Sequence, residues 1–274
     1  MLAASAANRL NLMETQMETK KIAQRFDLTG KVIVVTGGSR GLGLQMCRAF
    51  AEAGADLVIS SRKQDACDAA AQMIGEQTGR DCLAIACHVG DWDACDALVE
   101  AAYARFGRVD VLVNNAGMSP LYESLTGVSR ELFDKVLAVN LAGPFRLAAV
   151  VGERMAAGEG GSIINVSSIA AVAPSAIEIP YAAAKAGLNN LTEGLARVYA
   201  PKVRVNCIMP GPFLTDIAEA WTDEIRESLT AMVALGRAGE PDEIIGTALY
   251  LASDASSYTN GAIIKVDGGL AYGS

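Results

Sequence analysis

Apolar residues gather into seven short runs along the chain, 31–36, 55–60, 82–87, 109–113, 162–166, 203–208 and 262–266. Each run is almost continuously apolar rather than alternating. Strands covered on both faces read this way, because neither side of the pleat meets water. Between the runs lie longer stretches rich in Ala, Leu, Glu and Gln, at 42–53, 65–78, 93–106, 130–155, 181–199 and 242–253, and that composition suits helices. Ser129 ahead of an acidic first turn, and Pro241-Asp242-Glu243, read as helix starts. Strand–helix alternation predicts right-handed crossovers and an α/β fold: a doubly wound parallel sheet of about seven strands with helices on both faces. No repeat or low-complexity linker divides the chain. One domain is expected over 27–274, preceded by an amino-terminal extension, 1–26, that reads as a flexible or helical arm. The stretch 211–239 breaks the alternation and predicts a helical insertion at the carboxyl edge of the sheet.

The 274 residues are 51% hydrophobic and 20% charged, which suits a globular core and excludes a disordered chain. A net charge of −8 argues against a nucleic-acid partner, whose phosphates need a basic surface, and against an anionic membrane. No apolar run reaches the ~18 residues that span a bilayer. Of the six cysteines, Cys82, Cys87 and Cys95 flank His88, but none forms the paired spacing of a zinc site, so no metal is expected. Free thiols fit a reducing compartment, and 1–26 lacks the apolar core of a secretory signal, so the expected location is the cytoplasm.

The first run ends in Thr36-Gly37-Gly38-Ser39-Arg40-Gly41-Leu42-Gly43 and opens directly into a helix. Glycines let backbone amides approach a pyrophosphate, and the helix amino terminus favours negative charge. The spacing departs from G-x-G-x-x-G, yet a strand before it and a helix after it mark a dinucleotide site. The second run leads into Ser61-Arg62-Lys63 with no carboxylate before Asp65. The guanidinium groups of Arg40 and Arg62 would suit a 2′-phosphate, so NADP(H) is preferred and NAD(H) is the alternative. Tyr181 and Lys185 stand four residues apart on a predicted helix, hence on one face. A nearby ammonium is expected to lower the phenol from its ordinary ~10. Ser168 follows the run 162–166, Asn114-Asn115-Ala116-Gly117 follows 109–113, Pro210-Gly211-Pro212-Phe213-Leu214-Thr215 follows 203–208, and Asn140 falls within a predicted helix. Open α/β sheets bind ligands at these strand ends.

Together these motifs resemble the short-chain dehydrogenase/reductase family, from about Leu28 to Gly269, and are similar to its 3-oxoacyl-(acyl-carrier-protein) reductases and gluconate-type dehydrogenases. The resemblance implies a single Rossmann-like domain and a homotetramer or homodimer. It implies hydride transfer between a nicotinamide and a small carbonyl or secondary alcohol, with a tetrad of Asn140, Ser168, Tyr181 and Lys185. Tyr181 would pass the proton and Ser168 would bond the substrate oxygen. Lys185 would bind the nicotinamide ribose, and Asn140 would hold a relay water. Cofactor contacts would come from Gly37, Ser39, Arg40, Gly41, Leu42, Gly43, Ser61, Arg62, Asn115, Ala116, Gly117, Pro210, Gly211, Phe213 and Thr215, besides Tyr181 and Lys185. After the third strand the family commonly has Asp-Val, where this chain has His88-Val89; His88 and Val89 are expected beside the adenine. Readings left open are an NAD-linked alcohol, polyol or sugar-acid dehydrogenase, and a dinucleotide-sensing protein without turnover. Substrate determinants are expected in 118–126, 169–180 and 213–235.

Overall fold

A computed structural model describes residues 22–215 and 231–271. Each apolar run is a strand: β1 (Val32–Thr36), β2 (Asp56–Ser61), β3 (Cys82–Ala86), β4 (Val111–Asn114), β5 (Gly161–Val166), β6 (Val203–Pro210) and β7 (Ile263–Val266). They form one sheet in the order β3-β2-β1-β4-β5-β6-β7, every neighbouring pair parallel. The chain winds outward from β1 in one direction through β2 and β3, then returns to begin β4 on the other side of β1. β1 and β4 pair in register, Thr36 beside Asn114. Beyond them the connections leave in opposite directions, and a crevice opens at their carboxyl ends.

Helices cover both faces, which explains the continuous apolar runs. Alternate residues of each strand serve opposite cores. Ile33, Val35, Leu57 and Ile59 pack with Met46, Cys47 and Phe50 of α1 (Gly41–Glu52), Ile74 of α2 (Gln64–Thr78) and Leu251 of α7 (Ile245–Ala252). Val32, Val34, Val58, Leu112 and Ile163 pack with Leu98 of α3 (Trp92–Phe106), Leu147 and Val151 of α5 (Gly143–Ala157) and Leu195 of α6 (Ile179–Val198). Burying one such side chain is worth roughly 1.5–3 kcal/mol.

The predicted helix over 130–155 is three pieces: α4 (Arg130–Leu137), a π-helical turn (Ala138–Ala142) and α5. Ser129 caps α4 as expected, its hydroxyl accepting from the Leu132 amide at 3.2 Å. The helical stretch Arg130–Ala157 is, by length and composition, long and apolar enough to cross a membrane. The run-length reading did not foresee this, because Arg, Gly and Pro residues punctuate the stretch. Its buried residues Val139, Leu147 and Val151 belong to the core under the sheet. The helix expected over 242–253 begins as a tight 3-10 turn, Pro241–Ile244, before α7. The extension 1–21 lies outside the described residues, as does 216–230 of the expected insertion. The ends of that insertion meet: Phe213 bridges Gly239, and the Leu214 amide donates to the Gly239 carbonyl at 2.9 Å.

Phe50 is fully buried where α1 meets the sheet. Phe50→Ala should lower unfolding stability by about 3–5 kcal/mol, measured by denaturant titration.

Candidate active site

The crevice is a cleft of about 340 Å³, within the size range of ligand pockets. One wall is the turn after β1. Gly37 and Gly41 there have φ of +66° and +53°, a region that favours glycine. A side chain on Gly43 would collide with the Gly37 carbonyl and the Asn115 amide. α1 therefore starts hard against the turn, and its first residues, Gly41, Leu42 and Gly43, line the cleft where unpaired helix amides can meet an anion.

Thr36 joins this wall to the next. Its hydroxyl oxygen accepts the amides of Asn115 and Ala116, each at 3.1 Å, and donates to the Val113 carbonyl at 3.3 Å. The Asn115 side-chain amide returns two bonds, to the Thr36 carbonyl at 2.9 Å and the Gly37 carbonyl at 3.1 Å. Sequence reasoning missed Thr36, because its role depends on the β1–β4 register, which neither strand's sequence reveals alone.

The tetrad is assembled deeper in. A Cβ placed on Gly117 would stand 3.0 Å from Asn140 Oδ1 and 3.6 Å from Lys185 Nζ, so the three residues meet at one point. Asn140 sits in the π-helical turn, fully buried. Its side chain accepts from the Met118 amide at 3.1 Å and donates to the Met118 and Val136 carbonyls at 2.8 and 2.9 Å. It braces the loop after β4 from behind and does not itself line the cleft. Such turns recur at functional sites because they re-aim one side chain within a helix. Ser168, Tyr181 and Lys185 do line the cleft. Ser168 heads a short 3-10 turn, its oxygen accepting from the Ala170 amide at 3.2 Å. Lys185 Nζ lies 5.7 Å from the Tyr181 ring centroid and donates to the Val166 carbonyl at 2.7 Å.

Electrostatics correct one expectation. Burial pushes the Tyr181 phenol up to about 12; the hydrogen bond from Ser168 pulls it partly back, and Glu178 adds a smaller upward push. Lys185 does not depress it. Burial lowers the ammonium itself to about 8, and it is bonded to Val166 rather than the phenol. At both groups desolvation by the surrounding protein is the largest influence.

Every expected cofactor residue lines the cleft. Ser39, Arg40, Ser61, Arg62, His88 and Val89 line it, as do Pro210, Gly211, Phe213 and Thr215. A Cβ on Gly41 would lie 3.6 Å from Thr215, so the segment after β6 reaches back over the glycine turn. Ser167 also lines the cleft and donates to the Lys185 carbonyl at 3.2 Å. Among the described residues no cluster of side chains could hold a metal.

A crevice at the β1/β4 divergence, a glycine turn feeding a helix and a Ser–Tyr–Lys group lining the cleft define a dinucleotide-dependent oxidoreductase. A family model described as Enoyl-(Acyl carrier protein) reductase matches residues 29–271, and the chain belongs to the short-chain dehydrogenase/reductase family. It is 39% identical to a 3-oxoacyl-(acyl-carrier-protein) reductase of Chlamydia trachomatis serovar D, over 89% of this chain and 98% of that one. It is 41% identical to an L-rhamnose 1-dehydrogenase (NAD(P)(+)) of Azotobacter vinelandii, over 89% and 97%. Among solved structures it is similar to a gluconate 5-dehydrogenase of Burkholderia cenocepacia in complex with NADP and tartrate, with TM-score 0.88, 32% identity and coverage of 93% and 100%. The protein is accordingly an oxidoreductase acting on alcohol and carbonyl groups with a nicotinamide dinucleotide.

Gly43→Ala should weaken NADPH binding by at least about 10-fold, or 1.4 kcal/mol, read by fluorescence titration, because the new methyl displaces the Asn115 amide and the Gly37 carbonyl.

Proposed function

We propose that the enzyme is an NADP(H)-dependent reductase of a small carbonyl compound, with Tyr181 as proton donor. The observation that carries this reading is the Tyr181 phenol standing in the cleft with Ser168, beside a buried Lys185, where burial pushes the phenol up to about 12. A donor to an alkoxide must keep its proton until charge develops on the substrate oxygen, and a phenol pushed up to about 12 does so throughout the neutral range. Oxidation, the reverse step, needs the phenolate, which burial disfavours.

The residues fit the dinucleotide: the cradle at Gly37, Gly41 and Gly43 admits backbone amides only because side chains are absent there. The bound nicotinamide supplies the hydride. Ser168 bonds the substrate oxygen and stabilises its developing charge. Tyr181 gives that oxygen its proton. Lys185 would hold the nicotinamide ribose, and Asn140, which braces the loop after β4, would keep a relay water for the Lys185 ammonium. Arg40 and Arg62 line the cleft and, among the described residues, no carboxylate does, which supports NADP(H) over NAD(H). Tighter binding of NADH than NADPH in paired titrations would overturn that preference and favour an NAD-linked polyol or sugar-acid dehydrogenase.

We assign the catalytic domain to 27–274 and the extension to 1–26. The homotetramer expected for the family is supported by large apolar side chains left exposed on the helical layer, among them Trp92, Phe133 and Phe145. A cytoplasmic location is supported by six free cysteines.

A carbonyl panel followed by NADPH consumption tests the activity. Tyr181→Phe should reduce kcat by about 10²–10⁴-fold while leaving NADPH affinity within about twofold; Lys185→Ala should impair both. Lys185, lowered to about 8, is charged below that pH and neutral above it. The reductive kcat/KM should therefore hold level from pH 6 to about 8 and fall at higher pH as the ammonium is lost. A rate that climbs from pH 7 to 9 would contradict this.

A further inference from the structure

We infer that Tyr122 is a positioning residue: its hydroxyl clasps the loop after β4 to the start of α6 and so fixes where Tyr181 stands. The inference rests on the proposed function for what Tyr181 does, while the clasp itself is geometric. Tyr122 Oη donates to the Ala176 carbonyl and accepts from the Ile179 amide, both at 2.9 Å. One oxygen thus spends its donor and an acceptor on the backbone of a single partner loop, which a casual surface contact does not do.

The helix terminus needs this partner. α6 begins at Ile179, two residues before Tyr181, and Glu178 at its cap position makes no side-chain capping bond. Pro180 has no amide to donate. The Ile179 amide is therefore an orphan donor of the first turn, satisfied from another loop rather than from the helix's own sequence.

Apolar packing does little to join the two loops. Leu121 is 72% exposed and Ile177 is 52% exposed, on the two sides of the joint. The second tie is also polar: Ser119, which lines the cleft, donates to Glu178 Oε2 at 3.5 Å. Both loops were expected to determine the substrate. Their union by hydrogen bonds makes the mouth of the cleft and the proton donor one mechanical unit.

Tyr122→Phe keeps the ring and deletes the clasp. With NADPH bound, amide exchange across 176–183 should quicken by about 10-fold. On a carbonyl that the wild type reduces, kcat should fall by about 10–100-fold, as misplacement of a reacting group predicts, with KM changed less. NADPH affinity and the unfolding midpoint should stay at wild-type values, since the cofactor cradle and both cores lie elsewhere. Unchanged exchange, or faster exchange with an unchanged kcat, overturns the inference. Should the wild type reduce no carbonyl, the proposed function fails, and the exchange measurement still decides the clasp.

Discussion

The joint between β1 and β4 is the constraint from which the site follows. Thr36 and Asn115 exchange four hydrogen bonds across it, which also engage Gly37 and Ala116. With the ends locked together, the chain after β1 can leave only through a turn with φ positive at Gly37 and Gly41, and the chain after β4 only past Asn140. The crevice is the space these two exits leave.

Electrostatics at the deeper end follow from the same burial that stabilises the fold. Lys185 is 3% exposed and shares its surroundings with Val166 and Cys207. Such an environment lowers an ammonium and raises a phenol at once, so the proton is held on Tyr181 more firmly than on Lys185. Proximity alone, which is what a spacing of four residues conveys, does not reveal which effect prevails.

All seven strands were legible in the sequence because two buried faces leave a continuous apolar trace, and the glycine turn because its neighbours are a strand and a helix. Tyr181, Lys185 and Ser168 were legible from spacing and strand ends. What escaped was relational. Thr36 matters through the register of a strand 75 or more residues away in sequence. The π-helical turn at Asn140 adds no unusual residue type, only an altered hydrogen-bond step, so composition carries no trace of it. The phenol's weakened acidity depends on how much water the surrounding protein excludes, and that is a property of packing.

The pairing of Phe213 with Gly239 has a consequence for how such a scaffold diversifies. Because the two ends are already stapled beside β6, what runs between them can be lengthened or rewritten with little thermodynamic effect, each doubling of a loop adding only about 0.6 kcal/mol. A lineage could exchange this one cassette and acquire a new molecular preference while inheriting its chemistry intact.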